Sequence, residues 1–215
     1  MNNKIFITGG TGYIGSRLIS ELLRRNFEIT ALVRKGSESK LPDGCKIIFG
    51  DALDRSTYEK YISGCDTFIH LTGVSHPGPG KKEQFKSIDL VSIEQAVKAA
   101  SEFDIKHFIY LSIAHPAPVM KEYIKVRRQG EKLLVKSKIS STFIRPWYVL
   151  GPGHYWPYII LPFYKIAELI PITKEAAIRL GLVKINQIIN CLVYSVINPA
   201  ADIRIYDVKD IKKFK

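Results

Sequence analysis

Cysteine is scarce: Cys45, Cys65 and Cys191 are all the chain has, and they stand far apart. They match no metal-ligand spacing and cannot build a disulfide framework, which excludes zinc modules and small cystine-stapled folds. No apolar run approaches the roughly 20 residues that a membrane-spanning helix needs. Internal repeats and low-complexity linkers are absent as well, which excludes solenoids and tail-like binding segments. Met1-Asn2-Asn3-Lys4 leads straight into an apolar stretch, so a cleavable signal peptide is not expected. Scattered reduced thiols and no leader make the cytoplasm the expected location.

Acidic residues are few: 20 Asp and Glu stand against 32 Lys and Arg, a formal charge of +12 at pH 7. The basic residues are dispersed, with short clusters at Arg34-Lys35, Lys81-Lys82, Arg127-Arg128 and Lys212-Lys213. No arginine-rich arm or RNA-binding aromatic motif goes with them. No specific nucleic-acid partner is expected; contact with a membrane surface is possible but not expected, and the charge reads as a basic solvated face. A length of 215 residues, 46% of them hydrophobic and 24% charged, suits one globular domain with a substantial core.

What the chain does have is a phosphate cradle. In Ile5-Phe6-Ile7-Thr8-Gly9-Gly10-Thr11-Gly12-Tyr13-Ile14-Gly15, a short apolar strand runs through glycines three apart into a helical pattern. Glycines let the backbone turn sharply and approach an anion, and the helix start offers free N–H groups with a positive dipole end. The spacing is a close variant of the dinucleotide fingerprint, in the strand–turn–helix context that fingerprint requires.

Strand and helix patterns then alternate. Strands are predicted at Lys4–Thr8, Glu28–Val33, Lys46–Phe49, Thr67–Leu71, His107–Ser112, Ser141–Arg145 and Ile203–Tyr206. Helices are predicted at Thr11–Arg25, Ser56–Ile62, Glu83–Phe103, Lys121–Lys136 and Ile185–Ile197, the last capped by Asn186. Continuous apolar strand cores indicate burial on both faces. The expected fold is α/β: a Rossmann-type doubly wound parallel sheet with a short C-terminal substrate or cap region. The expected divisions are a nucleotide-binding core over 1–150, an aromatic-rich segment over 151–182, and a strand–helix–strand over 183–215 that completes the core. Prolines at 152, 157, 162 and 171 break the middle segment, whose aromatics suit a core cap, a wall for an apolar substrate, or a partner patch.

Taken in order, these landmarks resemble the short-chain dehydrogenase/reductase superfamily in its extended and atypical branches, including epimerase/dehydratase-like and NmrA-like proteins. The resemblance covers nearly the whole chain. It implies a pyrophosphate loop at Gly9, Thr11, Gly12, Tyr13, Ile14 and Gly15, and adenine contacts at Asp51 and Ala52. Leu71, Thr72 and Gly73 would pass the nicotinamide ribose, and Pro146 its carboxamide. At the end of the second strand an acidic residue usually holds the ribose hydroxyls of NAD. Arg34 stands there instead, with Lys35 beside it. A guanidinium suits a 2′-phosphate, so the expected cofactor is NADP in preference to NAD.

The catalytic positions depart from the family pattern. Most such enzymes use a Ser or Thr, a Tyr, and a Lys four residues after the Tyr. Here Tyr123 is followed by Arg127, Ile113 stands at the hydroxyl position, and Ser112 lies one residue before it. Thr72, Ser75, His76 and His115 are further polar candidates. The resemblance therefore implies an NAD(P)-dependent oxidoreductase with a degenerate triad, using NADPH to reduce a small apolar or conjugated acceptor. The alternative is a catalytically weak NADP-binding sensor or accessory protein. The helices over 83–103 and 121–136 commonly pair in such proteins, so a homodimer is one option; the sequence does not choose an oligomeric state.

Overall fold

The structure, a computed structural model, describes residues 4–75, 77–153, 155 and 159–215. Strands β1 (Lys4–Thr8), β2 (Glu28–Val33), β3 (Lys46–Phe49), β4 (Thr67–His70), β5 (His107–Leu111) and β6 (Ser141–Arg145) alternate with helical segments. After a short β7 (Tyr148–Leu150) and β8 (Leu182–Lys184), the last strand is β9 (Ile203–Asp207). The order β3-β2-β1-β4-β5-β6-β9 makes one seven-stranded parallel sheet, while β7 and β8 pair separately. This is the doubly wound α/β arrangement expected, with its order reversing between β1 and β4.

The two faces of the sheet are divided by residue type. Aliphatic Ile5, Ile7, Ile69, Ile109 and Ile144 point to one side, where they meet α1 (Tyr13–Arg24) and α7 (Ile185–Ile197). Their neighbours Phe6, Phe68, Phe108 and Phe143 point to the other, toward α3 (Val91–Glu102) and the fully buried Tyr58. The register sets Phe6 beside Phe68 and Phe68 beside Phe108, with the last pair stacked at 4.9 Å between ring centroids. Alternation of side chains along each strand gives this two-faced packing directly.

Three local expectations are corrected. The helix expected over Ser56–Ile62 is two 3₁₀ turns, Arg55–Thr57 and Glu59–Tyr61, broken at Tyr58, whose φ of −139° is not helical. Tyr58 departs from the helix to bury its ring against Phe6, at 5.7 Å between centroids. Asn186 does not cap α7. Lys184 is the N-cap residue, and its N–H donates to Gln187 Oε1 at 2.9 Å. The long helix over Glu83–Phe103 is α2 (Lys82–Gln84), a π-helical stretch at Phe85–Leu90, and then α3.

Helix α4 (Lys121–Ser137) precedes β6, and the aromatic-rich segment holds α5 (Leu161–Leu169) and α6 (Pro171–Arg179). Pro171, which has no N–H to extend the preceding helix, opens α6. Trp156, Pro157 and Tyr158 lie outside the described residues. A short α8 (Val208–Ile211) follows β9. Arg145 ties β6 to α4 and β9: it donates to both carboxylate oxygens of Glu131, at 2.8 and 2.7 Å, and stands 3.6 Å from Asp207.

Two histidines are sealed in this core. His70 lies 2.9 Å from Thr8 Oγ1 and 3.3 Å from Ser92 Oγ, and burial, aided by the charge of Arg127, pulls its pKa down to about 3. His107 lies 2.9 Å from Thr142 Oγ1, and burial, with Arg204 contributing, pulls it down to about 4. Both folded values lie below the unfolded value near 6.5, so only the unfolded chain takes up these protons as pH falls from there. Stability is thus fully present above that value and declines on acidification, by about 1.4 kcal/mol per pH unit for each histidine. Between pH 7 and about pH 5 the two together should remove about 4 kcal/mol in urea denaturation, and His70→Gln and His107→Gln should each flatten the profile. Equal stability at the two pH values would refute the neutral assignment.

Candidate functional site

The parallel register brings the ends of β1, β2, β3, β4, β5 and β6 to one edge of the sheet. Thr8 is level with Leu32 and His70, Val33 with Phe49, His70 with Tyr110, and Leu111 with Ile144. The residues just beyond them therefore share one crevice, the usual place for a ligand in an open α/β sheet.

Each glycine of the loop answers a different constraint. Gly9 has φ +75°, and a Cβ there would lie 2.6 Å from the Leu71 carbonyl carbon and 2.7 Å from Thr72 N. A Cβ on Gly15 would run into Gly9 O and Gly10 Cα, so the first turn of α1 could not seat against the loop. Gly12, the extended N-cap of α1, would meet only Gly9 O, at 3.3 Å. No side chain caps this helix, and no acidic residue lies in its first turn. Gly12 N–H turns back to Gly9 O at 3.1 Å, and the start of α1, where a helix cannot satisfy all its N–H groups internally, borders a concave space suited to phosphate.

From this loop a cleft of about 910 Å³ runs across the edge. Gly9, Gly12, Tyr13, Ile14 and Gly15 line one end; Leu71, Gly73, Ser112, Pro146, Tyr123 and Arg127 continue it. Val74, Ile113, Val119, Met120 and Trp147 make its apolar end. Two hydroxyls at this edge, Thr72 Oγ1 and Ser112 Oγ, are buried without a hydrogen-bond partner, an arrangement that a bound polar ligand would relieve. Uncapped helix start, close-fitting glycines and waiting hydroxyls fit a dinucleotide.

Arg127 is held more tightly than the sequence suggests. Its guanidinium lies 2.6 Å from Asp89 Oδ1, donates to Leu111 O at 2.9 Å, and reaches Thr72 O at 3.4 Å. Asp89 Oδ2 accepts from Val74 N–H at 3.0 Å, and a Cβ on Gly73 would collide with Arg127 Nη2. Burial opposes the charge of Arg127, but Tyr123, Tyr110 and Asp89 outweigh it and hold its pKa above the ordinary range. Tyr123 packs against Phe85 at 4.8 Å between ring centroids, with Arg127 Cζ 5.2 Å from its ring centre. Burial pushes its phenol pKa up, against the opposing pull of Arg127, so it stays protonated at neutral pH.

Other residues singled out by the sequence lie along the same edge but outside the cleft lining. Arg34 and Lys35 are exposed in the turn that leaves β2, where Ser37 N–H donates to Arg34 O at 3.1 Å. Asp51 is exposed; its Oδ1 accepts from Leu53 N–H at 2.9 Å, and Ala52 packs against the aromatic side of the core. Thr11 is half-buried. His115 Nδ1 lies 3.0 Å from Ile113 O, and His76 lies outside the described residues. Sequence reasoning missed Asp89, hidden within an ordinary helical pattern, and Trp147, whose indole donates to Tyr164 on α5 at 3.1 Å.

Residues 9–153 match the family described as NAD(P)H-binding. The chain belongs to that NAD(P)H-binding family. It is 24% identical over 170 residues to a 4-hydroxy-2-methyl-3-oxo-4-farnesyl-3,4-dihydroquinoline-1-oxide ketoreductase of Stigmatella aurantiaca, covering 69% of this chain and 51% of that protein. It is also 24% identical over 151 residues to a ceramide reductase of Caulobacter vibrioides, covering 69% and 47%. The chain thus spans about half the length of these curated relatives. Its fold matches the UDP-glucose 4-epimerase of Thermus thermophilus in complex with NAD, with a TM-score of 0.71 at 14% identity, over 98% of this chain and 81% of that one. Among its relatives is also an NmrA-like family domain-containing protein of Dictyostelium discoideum, 27% identical over 168 residues, covering 69% of this chain and 52% of that protein.

The Asp89–Arg127 pair is nearly solvent-free, with side chains 0% and 5% exposed. Removing one partner strands the other charge, so Asp89→Ala should cost about 3–5 kcal/mol in urea denaturation. Replacing both by apolar residues, as Asp89→Leu with Arg127→Met, should cost less than that single change. A double variant weaker than Asp89→Ala would show that the groups are not coupled.

Proposed function

We propose that this chain is an NAD(P)-dependent oxidoreductase with a degenerate triad, using NADPH to reduce a small apolar or conjugated acceptor. The observation that carries this reading is the continuous cleft, which joins a phosphate cradle at Gly9–Gly15 to an apolar end beside Tyr123. The bound nicotinamide supplies the hydride. Gly12, Tyr13, Ile14 and Gly15 take the pyrophosphate, Arg34 and Lys35 the 2′-phosphate, and Asp51 and Ala52 the adenine. Leu71, Thr72, Gly73 and Pro146 flank the nicotinamide half. Val74, Ile113, Met120 and Trp147 exclude water around the acceptor.

Tyr123 is the proton donor in this reading. Its raised pKa suits a group that gives up a proton rather than one that waits as phenolate. Ser112 Oγ offers one hydrogen bond to the ligand. Arg127 acts as a positioning residue, because Asp89 and two backbone carbonyls already engage its guanidinium. Ile113 contributes no hydrogen bond, which suits an acceptor that delocalises charge by itself. The names of two relatives, a ketoreductase of a farnesylated dihydroquinoline oxide and a ceramide reductase, support the apolar character of the acceptor, though not its small size. Activity in the cytoplasm belongs to the same reading.

The engagement of Arg127 by Asp89 also favours a second reading, an NADP-binding sensor or accessory protein without turnover. Titration with NADPH and NADH, then a screen for NADPH oxidation by quinones, flavins and enones, separates the two. NADPH should bind more tightly than NADH, and Arg34→Glu should largely abolish the preference; equal affinities in the unaltered protein would refute the role of Arg34. Tyr123→Phe should lower turnover at least about tenfold without weakening NADPH binding. Unchanged turnover would remove Tyr123 from the chemistry, and failure of every acceptor would favour the sensor.

A further inference from the structure

The α5–α6 hairpin wears its apolar side outward. Phe163, Ile166 and Leu169 recur at intervals of one helical turn on α5 and are 69%, 58% and 83% exposed. At the bend and on α6, Ile170, Ile172 and Ile178 are exposed as well, Ile172 by 94%. The opposite side of α5 carries the polar anchors: Tyr164 accepts from Trp147, and Glu168 stands 3.9 Å from Lys212 and 3.0 Å from Lys165. A surface helix ordinarily shows the reverse arrangement. A contiguous apolar patch of this kind marks an interaction surface.

The charge beside the patch narrows the partner. Lys121, Lys125, Arg128 and Lys132 recur at helical spacing on one exposed face of α4 and line a groove of about 450 Å³ with His115, Pro116 and Ala117. Among the described residues none of these four cations has an ion-pair partner. The groove and the hairpin meet at Arg179 on α6, whose Nε donates to Pro116 O at 3.1 Å. On the hairpin itself exposed Lys165 pairs with Glu168 at 3.0 Å and exposed Lys174 is matched by an exposed Glu175, so the positive charge is that of the α4 row, beside a half-buried Glu122.

A cation row calls for an anionic partner and the hairpin for an apolar one. Nucleic acid offers the first without an apolar layer. A second copy docking through α4 would set the cation row against itself. An anionic bilayer offers both at once, phosphate at its surface and hydrocarbon just beneath. No helix among the described residues is long and apolar enough to cross a membrane, so the contact is peripheral.

We propose that the α5–α6 hairpin and the α4 cation row form one docking surface for an anionic lipid bilayer. The hairpin enters the headgroup layer through Phe163, Ile166 and Ile172, and the α4 row lies against the lipid phosphates. This docking does not depend on turnover. It would also bring the cleft to the bilayer boundary, because Trp147 lines the cleft and is bonded to Tyr164 on α5.

Co-sedimentation of the purified protein tests the surface, using phosphatidylcholine vesicles with and without about one third phosphatidylglycerol. Partitioning should be at least about tenfold stronger on the mixed vesicles and fall steeply as salt rises. Lys125→Glu with Arg128→Glu, and separately Phe163→Ser with Ile166→Ser, should each weaken it about tenfold while circular dichroism and melting stay unchanged. Failure to bind mixed vesicles, equal binding to both vesicle types, or indifference to either pair of substitutions would overturn the proposal. So would a dimer in light scattering that Phe163→Ser with Ile166→Ser dissolves, or single-stranded DNA binding, without vesicle binding.

Discussion

One buried guanidinium organises the edge of the sheet where the cleft lies. Arg127 joins the segment after β4 at Thr72 O, the end of β5 at Leu111 O, and the π-helical stretch at Asp89. Asp89 in turn fixes Val74 N–H, so the wall beside the apolar end is tied to the same pair. Gly73 is a consequence, since a side chain there would collide with the guanidinium. Burying an ion pair is costly, and what the pair secures here is one arrangement of three chain segments. The same charge helps keep His70 neutral and draws down the phenol pKa of Tyr123 against the stronger effect of burial.

This arrangement suits an arginine at the place where the resemblance implies a lysine. A lysine ammonium is a compact point charge on a flexible stem, free to reach a ligand. A guanidinium is a planar fork that satisfies several acceptors at once. With Asp89 and two carbonyls arrayed around it, the fork is engaged inward. The cation stays beside Tyr123, where its field acts, but its hydrogen bonds serve the scaffold. The proposed division of roles between a donor, Tyr123, and a positioning group, Arg127, follows from that geometry rather than from the spacing of the two residues.

Much of this architecture was legible in the residues. Strand cores such as Ile5-Phe6-Ile7 and Phe108-Ile109-Tyr110 carry both the strand length and the two-sided burial, and their order gives the doubly wound sheet. The glycine loop was legible because the constraints on Gly12 and Gly15 act within a few residues, although Gly9 is held by its close approach to distant Leu71 and Thr72. Contacts between distant segments were not. Asp89 lies in a helical pattern that reads as an ordinary amphipathic stretch, and only the wider π-helical turn and the approach of α4 give it a partner. Tyr58 broke an expected helix for a similar reason, since burial against Phe6 outweighs a weak local preference. Lys184 displaced Asn186 as the N-cap because β8 runs directly into α7, leaving Asn186 already inside the helix.

The aromatic segment after β7 had three readings from composition alone, and its architecture bears on each. A core cap would bury its large side chains, yet among the described residues α5 buries none completely. A pocket wall would face the cleft, and the connection there is indirect, through Trp147 and Tyr164. What the hairpin offers to solvent includes a row of large apolar side chains, and α4 beside it offers positive charge with no ion-pair partner among the described residues. Exposed apolar surface is tolerated where another phase covers it. A cleft with an apolar end, set against the proposed docking surface, would draw its acceptor from where apolar molecules concentrate, so the two proposals meet at one solvent boundary.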